Sequence, residues 1–214
     1  MFESLYDLLM SDVDYEALFE SIEPYLKKDD FIIDAGCGSG YFLVECLKKG
    51  YYAIGIDVSS NMLAIAKNRL QEEKLITELY EHDLRNPLYA KADVILGMFD
   101  VFNYFKGVKT VFKHIYQALY PSGRFIFDLY KEDVLNTYNG YIEEEQEPIS
   151  YKWLINVKKP MMIHRVYHDS YVDTIKQYVY PLTYYTDYLK ALGFDVCVNQ
   201  GIDERKYMII CTKK

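Results

Sequence analysis

The 214-residue chain has one tryptophan, six prolines, eleven glycines and four cysteines, and no run of basic residues. With so little proline and glycine and 26% charged residues, collagen-like and disordered classes are excluded. Cys37, Cys46, Cys197 and Cys211 form no CxxC pair and no regular disulfide framework. No basic–apolar–small leader opens the chain, so a reduced, cytoplasmic protein is expected. No apolar run approaches the roughly 20 residues that span a bilayer, so no membrane partner is expected. The net charge is −8, and the longest run of one sign, Glu143-Glu144-Glu145, is acidic. Nucleic-acid binders neutralise phosphates with clustered cations, so that partner class is disfavoured. A chain of this length suits one domain, which can bury roughly 70% of its unfolded surface without a disulfide or a metal.

What the chain has in excess is tyrosine, 23 residues, of which eleven lie between Tyr130 and Tyr188. Lys also outnumbers Arg by 19 to 5, which points to an A/T-biased genome as one source of the tyrosines. Codon bias explains a total, not a placement. Tyrosine joins apolar area to a hydrogen-bonding tip, which suits a half-buried sheet over a polar substrate or a homodimer contact through residues 131–182. Strand propensity alone also favours it there.

Along residues 1–30, apolar positions at three- and four-residue spacing predict two helices, broken at 11–14 with Asp14 as an N-cap. The run 31–34 predicts a strand buried on both faces, and a helix follows over 41–49, stopped by Gly50. The alternation continues: strand 53–58, helix 62–70 behind Ser59-Ser60, a short strand near 79–80, strand 93–97, helix 108–120, strand 124–129. Such alternation predicts a parallel sheet of right-handed βαβ units. From about 150 to 180 the helix period vanishes and partial alternation predicts inserted antiparallel strands. A helix beginning at Thr183 or Thr186 and capped by Gly193, then strands 194–198 and 207–212, close the chain as an antiparallel hairpin. The layout is an N-terminal helical lid (1–30), a cofactor-binding core (31–130), a β-rich insert (131–182), and a last helix and hairpin (183–214).

The strongest motif is Asp34-Ala35-Gly36-Cys37-Gly38-Ser39-Gly40, between a predicted strand and a predicted helix. Glycines there permit a tight turn and let a ligand lie against bare backbone. A dinucleotide fingerprint needs glycine at position 41, where this chain has Tyr41. Asp57 ends the next strand, 21 residues after Gly36, where a carboxylate can accept both hydroxyls of a ribose. It also stands where an acid favours a helix N-terminus. Asp83, in His82-Asp83-Leu84, ends the third strand.

These residues resemble a class I S-adenosylmethionine-dependent methyltransferase. The resemblance rests on Asp34-x-Gly36-x-Gly38-x-Gly40, Asp57, His82-Asp83-Leu84, Ala92-Asp93-Val94-Ile95 and Leu119-Tyr120-Pro121-Ser122-Gly123, and covers residues 31–130. Ser122 replaces the first glycine of the family's Leu-x-Pro-Gly-Gly turn, a mild change because serine suits turns. The resemblance implies a Rossmann-like α/β fold: a seven-stranded, mostly parallel sheet with an antiparallel C-terminal hairpin, N-terminal helices and an inserted antiparallel β segment. Its implied cofactor is S-adenosyl-L-methionine. Gly36 and Gly38 would approach the methionine part with Asp34 near its amino group, Asp57 would hold the ribose, Asp83 and Leu84 the adenine, and Met98 would line the sulfonium side.

Residues 97–104, Gly-Met-Phe-Asp-Val-Phe-Asn-Tyr, lack the Asn/Asp-Pro-Pro-Tyr signature of adenine and glutamine methylation, and the Pro-Cys of cytosine carbon-5 enzymes is absent. The N-terminal Tyr6 and Tyr15, with Tyr180-Pro181-Leu182-Thr183-Tyr184, are similar to glycine-type and amino-sugar N-methyltransferases. In that subgroup N-terminal helices and their aromatics cover the cofactor and inserted strands roof the substrate. The expected reaction is methyl transfer to a small-molecule acceptor, an amine by this resemblance. Asn103, Tyr104 and Arg165 are the expected substrate contacts. No catalytic residue is assigned, because an amine need only arrive uncharged; Tyr104, His164 and His168 are the candidates if a base is used. His164, His168 and Asp169 lack the converging ligands of a metal site, so none is expected. The alternatives are a non-catalytic protein binding S-adenosylmethionine or S-adenosylhomocysteine, a tRNA-modifying methyltransferase, and a nicotinamide oxidoreductase, which Tyr41 and the hairpin disfavour.

Overall fold

The computed structural model describes residues 2–147, 149–168 and 170–214. Helices α1 (Phe2–Leu9) and α2 (Tyr15–Ile22) open the chain, and Asp14 caps α2 by accepting from the Ala17 N–H at 2.9 Å. Then come β1 (Phe31–Ala35), α3 (Tyr41–Lys48), β2 (Tyr52–Asp57), α4 (Ser60–Glu72), β3 (Leu79–Glu81), β4 (Ala92–Gly97), a short 3₁₀ turn (Val101–Tyr104), α5 (Lys109–Ala118) and β5 (Leu119–Tyr130). A one-turn helix α6 (Val134–Thr137) leads into β6 (Tyr141–Glu145), β7 (Tyr151–Lys158), β8 (Met161–His168) and β9 (Tyr171–Tyr178). Helix α7 (Leu182–Leu192), β10 (Phe194–Gln200) and β11 (Lys206–Lys213) complete it.

The main sheet has the order β10-β11-β5-β4-β1-β2-β3, parallel except that β11 runs antiparallel to both neighbours. The fold class therefore stands as the resemblance implied. A second, antiparallel sheet, β6-β7-β8-β9, lies over it. Strand β6 was not expected, because Glu143 to Glu145 carries charge where a buried strand carries apolar residues. It is an edge strand, where charge blocks further pairing.

The central strands are buried on both faces because helices cover both. On one face Phe102 stands among Phe105, Phe112, Phe125 and Phe127, with Tyr185 of α7 packed on Phe112. On the other, Phe19 of α2 meets Phe42 and Tyr51. The second sheet has its own small core of Val134, Leu135, Ile155, Met162 and Val179, while Leu5 of α1 packs with Tyr151 and Val166.

Helix α4 runs two residues past the expected end, and α7 starts at Leu182 behind Pro181 rather than at either threonine; Thr186 is buried inside it. The turn before the core of β5 holds a second surprise. Ser122 has φ +62°, a left-handed conformation that glycine adopts without steric cost. The Ser-for-Gly exchange is thus a local strain as well as a turn-compatible change. Ser122→Gly is expected to raise unfolding free energy by about 0.5–1 kcal/mol, measured by urea titration, with the slope unchanged. A loss of stability would show that the serine side chain compensates for its backbone.

Candidate active site

The carboxyl ends of β1, β2 and β4 share one edge of the sheet, where an open parallel sheet leaves a crevice for a ligand. A cavity of about 760 Å³ opens there. Tyr6, Tyr15, Asp34, Gly36, Gly38, Asp57, Asp83, Leu84, Met98 and Tyr104 all line it.

Asp34, second from the end of β1, is buried, and its Oδ2 has no hydrogen-bond partner. Burial pushes its carboxyl up to about 7, and the nearby Asp57 charge pushes the same way. A buried oxygen left unsatisfied is expensive unless something brings it a donor. Asp57 is braced differently: its Oδ2 accepts from the Gly38 N–H at 2.9 Å and its Oδ1 from the Ser59 N–H at 2.8 Å. Burial raises its pKa, and these backbone donors oppose the rise. Each oxygen keeps a further lone pair for a ligand. Ser59, not Asp57, caps α4, accepting from Met62.

Two glycines of the turn serve different ends. Gly36 has φ +82°, and a Cβ there would meet Val101 Cγ2 at 2.7 Å. Gly38 has φ +53°, and a Cβ there would meet nothing within 4 Å. One is closed off by the fold; the other leaves backbone bare at the cavity.

Around this cavity an aromatic ladder ties the N-terminal helices down. Tyr15 stacks on Tyr41 at 4.8 Å, and the Arg69 guanidinium lies 3.3 Å from the Tyr41 ring centroid. Arg69 also donates to Asp7 of α1 at 2.6 Å, while the Tyr15 hydroxyl donates to the Met10 carbonyl.

Asp83 lines the cavity, with its carboxylate gripped by Arg85 through Nε at 3.0 and 2.9 Å and NH2 at 2.5 Å, which lowers its pKa. Two expected substrate contacts stand elsewhere. Asn103 lines neither cavity described here: it is fully buried, donates to the Tyr178 carbonyl at 2.9 Å and accepts from the Tyr130 N–H at 3.1 Å. It positions both sheets rather than touching a ligand. Arg165 also lines neither cavity. It shares a sheet face with Leu154 and Thr174, opposite the face of His164, because alternate strand residues point to opposite sides.

A second cavity of about 460 Å³ adjoins the first and shares Tyr6, Met10, Phe99 and Tyr104 with it. The upper sheet presents Trp153, His164, Ile175 and Gln177 to it. Opposite lie three buried charges that local sequence patterns did not reveal. Lys206 of β11 donates to Asp100 at 2.5 Å and to Asp128 of β5 at 3.2 Å. Asp128 also accepts from the Asp100 backbone N–H, and Asp100 accepts from the Gln177 carboxamide. Burial pushes the Asp100 carboxyl up to about 6, against the pull of Lys206. Phe99 and Asp100 both have positive φ, +63° and +54°. Of the base candidates, His168 is bound to Asp173 at 2.6 Å and lines neither cavity, and burial lowers His164 to about 4. Asp169 lies outside the described residues; among those described, no cluster of His, Cys, Asp and Glu could hold a metal. No described helix is long and apolar enough to cross a membrane.

The strand order and glycine turn define a Rossmann-like methyltransferase fold. Residues 32–123 match the family model of the methyltransferase domain. A methyltransferase-named protein of Bacillus subtilis (strain 168), YqeM, is 27% identical over 212 residues, 91% of this chain and 85% of that protein. An S-adenosylmethionine-dependent methyltransferase structure from Clostridium acetobutylicum ATCC 824 superposes with TM-score 0.84 at 21% identity, over 99% of this chain and 97% of that one. The sugar N-methyltransferase KedS8 from Streptoalloteichus sp ATCC 53650 gives TM-score 0.82 at 15% identity, covering 100% and 93%. The chain thus carries a methyltransferase-domain match over residues 32–123 on the fold of S-adenosylmethionine-dependent methyltransferase structures.

Asp34 yields a stability prediction. Its folded pKa lies above the unfolded value, so the folded chain holds this proton more tightly and loses stability as pH rises from about 4 to about 7. Asp34→Asn removes that loss. The ligand-free variant is expected to melt at least about 4 °C higher than the parent at pH 8, with the difference shrinking as pH falls toward 4. Equal melting at both pH values would mean the carboxyl is not held protonated.

Proposed function

We propose that this chain is an S-adenosylmethionine-dependent methyltransferase that acts on an amine of a small molecule, with the methyl donor in the larger cavity and the acceptor in the smaller. The observation that carries this reading is the pair of adjoining cavities, of which the smaller has two carboxylates and one ammonium along one wall. With all three ionised that wall is net negative by one, and aromatic rings surround it. Such a wall attracts an ammonium by charge and by ring faces, and it repels polyanionic tRNA. The volume suits a metabolite.

The larger cavity fits the donor on two local features. The orphaned Asp34 oxygen is a receptor for a cationic amino group, and the bare backbone at Gly38 admits close approach. Asp57 would take the ribose hydroxyls with its remaining lone pairs. Leu84 and the chain at Asp83 would receive the adenine, with the Asp83 carboxylate held by Arg85. Met98, Tyr6 and Tyr15 would close the methionine end, and α1 and α2 would serve as a lid. When bound, S-adenosylmethionine supplies a methyl group already activated by its sulfonium. The residues therefore have to orient the acceptor, exclude water and remove one proton.

An amine drawn in as an ammonium must lose a proton before its lone pair can attack. Asp100 would take it: the residue lines the smaller cavity, and burial holds its carboxyl near 6. Lys206 and Asp128 position Asp100. Tyr104 stands in the wall that both cavities share, where acceptor and donor meet.

The direct test is S-adenosylhomocysteine release, with mass detection of methylated product, across a metabolite library that includes amines, alcohols, carboxylates and tRNA. Transfer to amines is expected; transfer confined to oxygen nucleophiles or to tRNA overturns the reading. Two variants examine the donor cavity. Asp57→Ala is expected to weaken S-adenosylhomocysteine binding at least tenfold, or about 1.4 kcal/mol, by calorimetry. Asp34 must shed its proton to meet a cationic amino group, so affinity should fall below about pH 7, by up to tenfold per unit. Asp34→Asn should bind more weakly and lack that slope. A flat profile in the parent protein would remove Asp34 from the amino-group role.

A further inference from the structure

One side chain, Arg69 of α4, binds both the glycine turn and the N-terminal lid while lining neither cavity. Its Nε donates to the Ser39 carbonyl of the turn at 2.9 Å. Its NH2 donates to Asp7 of α1 at 2.6 Å, and its flat face rests on the Tyr41 ring, which stacks in turn on Tyr15 of α2. A guanidinium can make all three contacts at once, because its donors lie in its plane and its faces stay free for a ring. The base from which it reaches is fixed. Ala66, one turn earlier on α4, lies so close to Gly40 that a Cβ there would meet the alanine Cβ at 2.9 Å.

The lid that Arg69 holds covers both cavities. Tyr6 and Met10 line the two of them, and Tyr15 lines the larger. A molecule in either one therefore lies beneath α1 and the residues that follow it. Leu5 ties α1 to Tyr151 and Val166 of the upper sheet by apolar contact. Two further polar ties to the main fold are longer: Asn61 Nδ2 reaches Glu3 at 3.3 Å, and the Tyr41 hydroxyl donates to the Asp7 carbonyl at 3.4 Å. Arg69 and Asp7 join the same parts by an ion pair whose side chains are only 18% and 24% exposed.

We propose that Arg69 is the latch of the lid, a positioning residue that sets how fast ligands enter and leave the cavities without contributing to their affinity. This rests on the larger cavity being the methyl-donor site. Neither Arg69 nor Asp7 lines a cavity, so the contact between them is the same with the cavities empty or filled. Such a contact stabilises the closed lid equally in both states. It slows entry and release by one factor and leaves the dissociation constant alone, because a contact shifts a binding equilibrium only by its difference between the two states. A residue that shaped the glycine turn for its ligand would behave otherwise: its loss would weaken binding.

The test uses the full chain with S-adenosylhomocysteine, taking entry and release rates from surface plasmon resonance and the dissociation constant from calorimetry. Asp7→Ala removes only the lid side of the latch and is the deciding variant. It is expected to raise both rates at least about threefold, with the dissociation constant within about twofold of the parent's. Arg69→Met should raise both at least about fivefold. Arg69→Lys should fall between Arg69→Met and the parent, because an ammonium cannot meet carbonyl, carboxylate and ring together. The double variant should be no faster than Arg69→Met alone. In the ligand-free protein, amide hydrogen exchange across α1 should quicken in Asp7→Ala while β1 and β4 exchange as in the parent. Unchanged rates in Asp7→Ala, or faster release with unchanged entry and lost affinity, overturn the latch and leave the donor site in place. Failure of the parent protein to bind S-adenosylhomocysteine removes the donor-site reading and the latch together.

Discussion

Lys206 is the constraint around which the site is arranged. A buried ammonium is tolerable only when carboxylates and hydrogen bonds replace its water, and here Asp100 and Asp128 do so. Asp128 lies on β5, Lys206 on the antiparallel β11, and Asp100 in the turn after β4, so one charge joins three segments of the main sheet. Gln177 extends the network to the upper sheet through Asp100. The left-handed backbone of Phe99 and Asp100 costs energy for residues with side chains. The network offsets that cost by using both the Asp100 carboxylate and its backbone N–H. The strained turn in this way becomes the divide between two cavities, with Phe99 lining both and Asp100 facing only the smaller.

The donor half of the molecule was legible because its signals are local. Asp34 through Gly40 sits in seven consecutive residues, and Asp57 lies one βα unit away, so strand, turn and acid could be read in register. Periodicity carried the parallel strands for the same reason. Burial on both faces writes itself as short apolar runs at Phe31–Ala35 and Ala92–Gly97. The seven-strand fold followed from these runs, while element ends at α4 and α7 shifted because packing, rather than capping residues, sets them.

The smaller cavity was not legible, because the residues that build it are far apart in the chain. Lys206 lies 106 residues from Asp100 and 78 from Asp128, and no spacing rule links them. In sequence Lys206 is one cation beside Arg205 at a strand edge, indistinguishable from a solvated charge. Asn103 and Arg165 erred for the opposite reason: each had the right chemistry near the right place. Neither strand phase nor burial could be judged before the second sheet was in position. Of the eleven tyrosines from Tyr130 to Tyr188, Tyr178, Tyr180, Tyr184 and Tyr185 pack ring against ring where β9 meets α7. Trp153, His164 and Gln177, less conspicuous by composition, face the cavity.

The unsatisfied groups also follow a pattern that packing alone does not explain. Among the described residues, four buried side-chain atoms lack a hydrogen-bond partner, and three of them, on Asp34, His164 and Gln177, belong to side chains lining the two cavities. Each could have been an apolar residue at lower cost to folding, since burying an unpaired polar atom is unfavourable wherever it occurs. His164 and Gln177 are neighbours, and each offsets part of the other's deficit. Asp34 has no such neighbour for its Oδ2, so the ligand-free protein is less stable than its fold allows, and a cation brought opposite that oxygen would recover the difference as binding affinity.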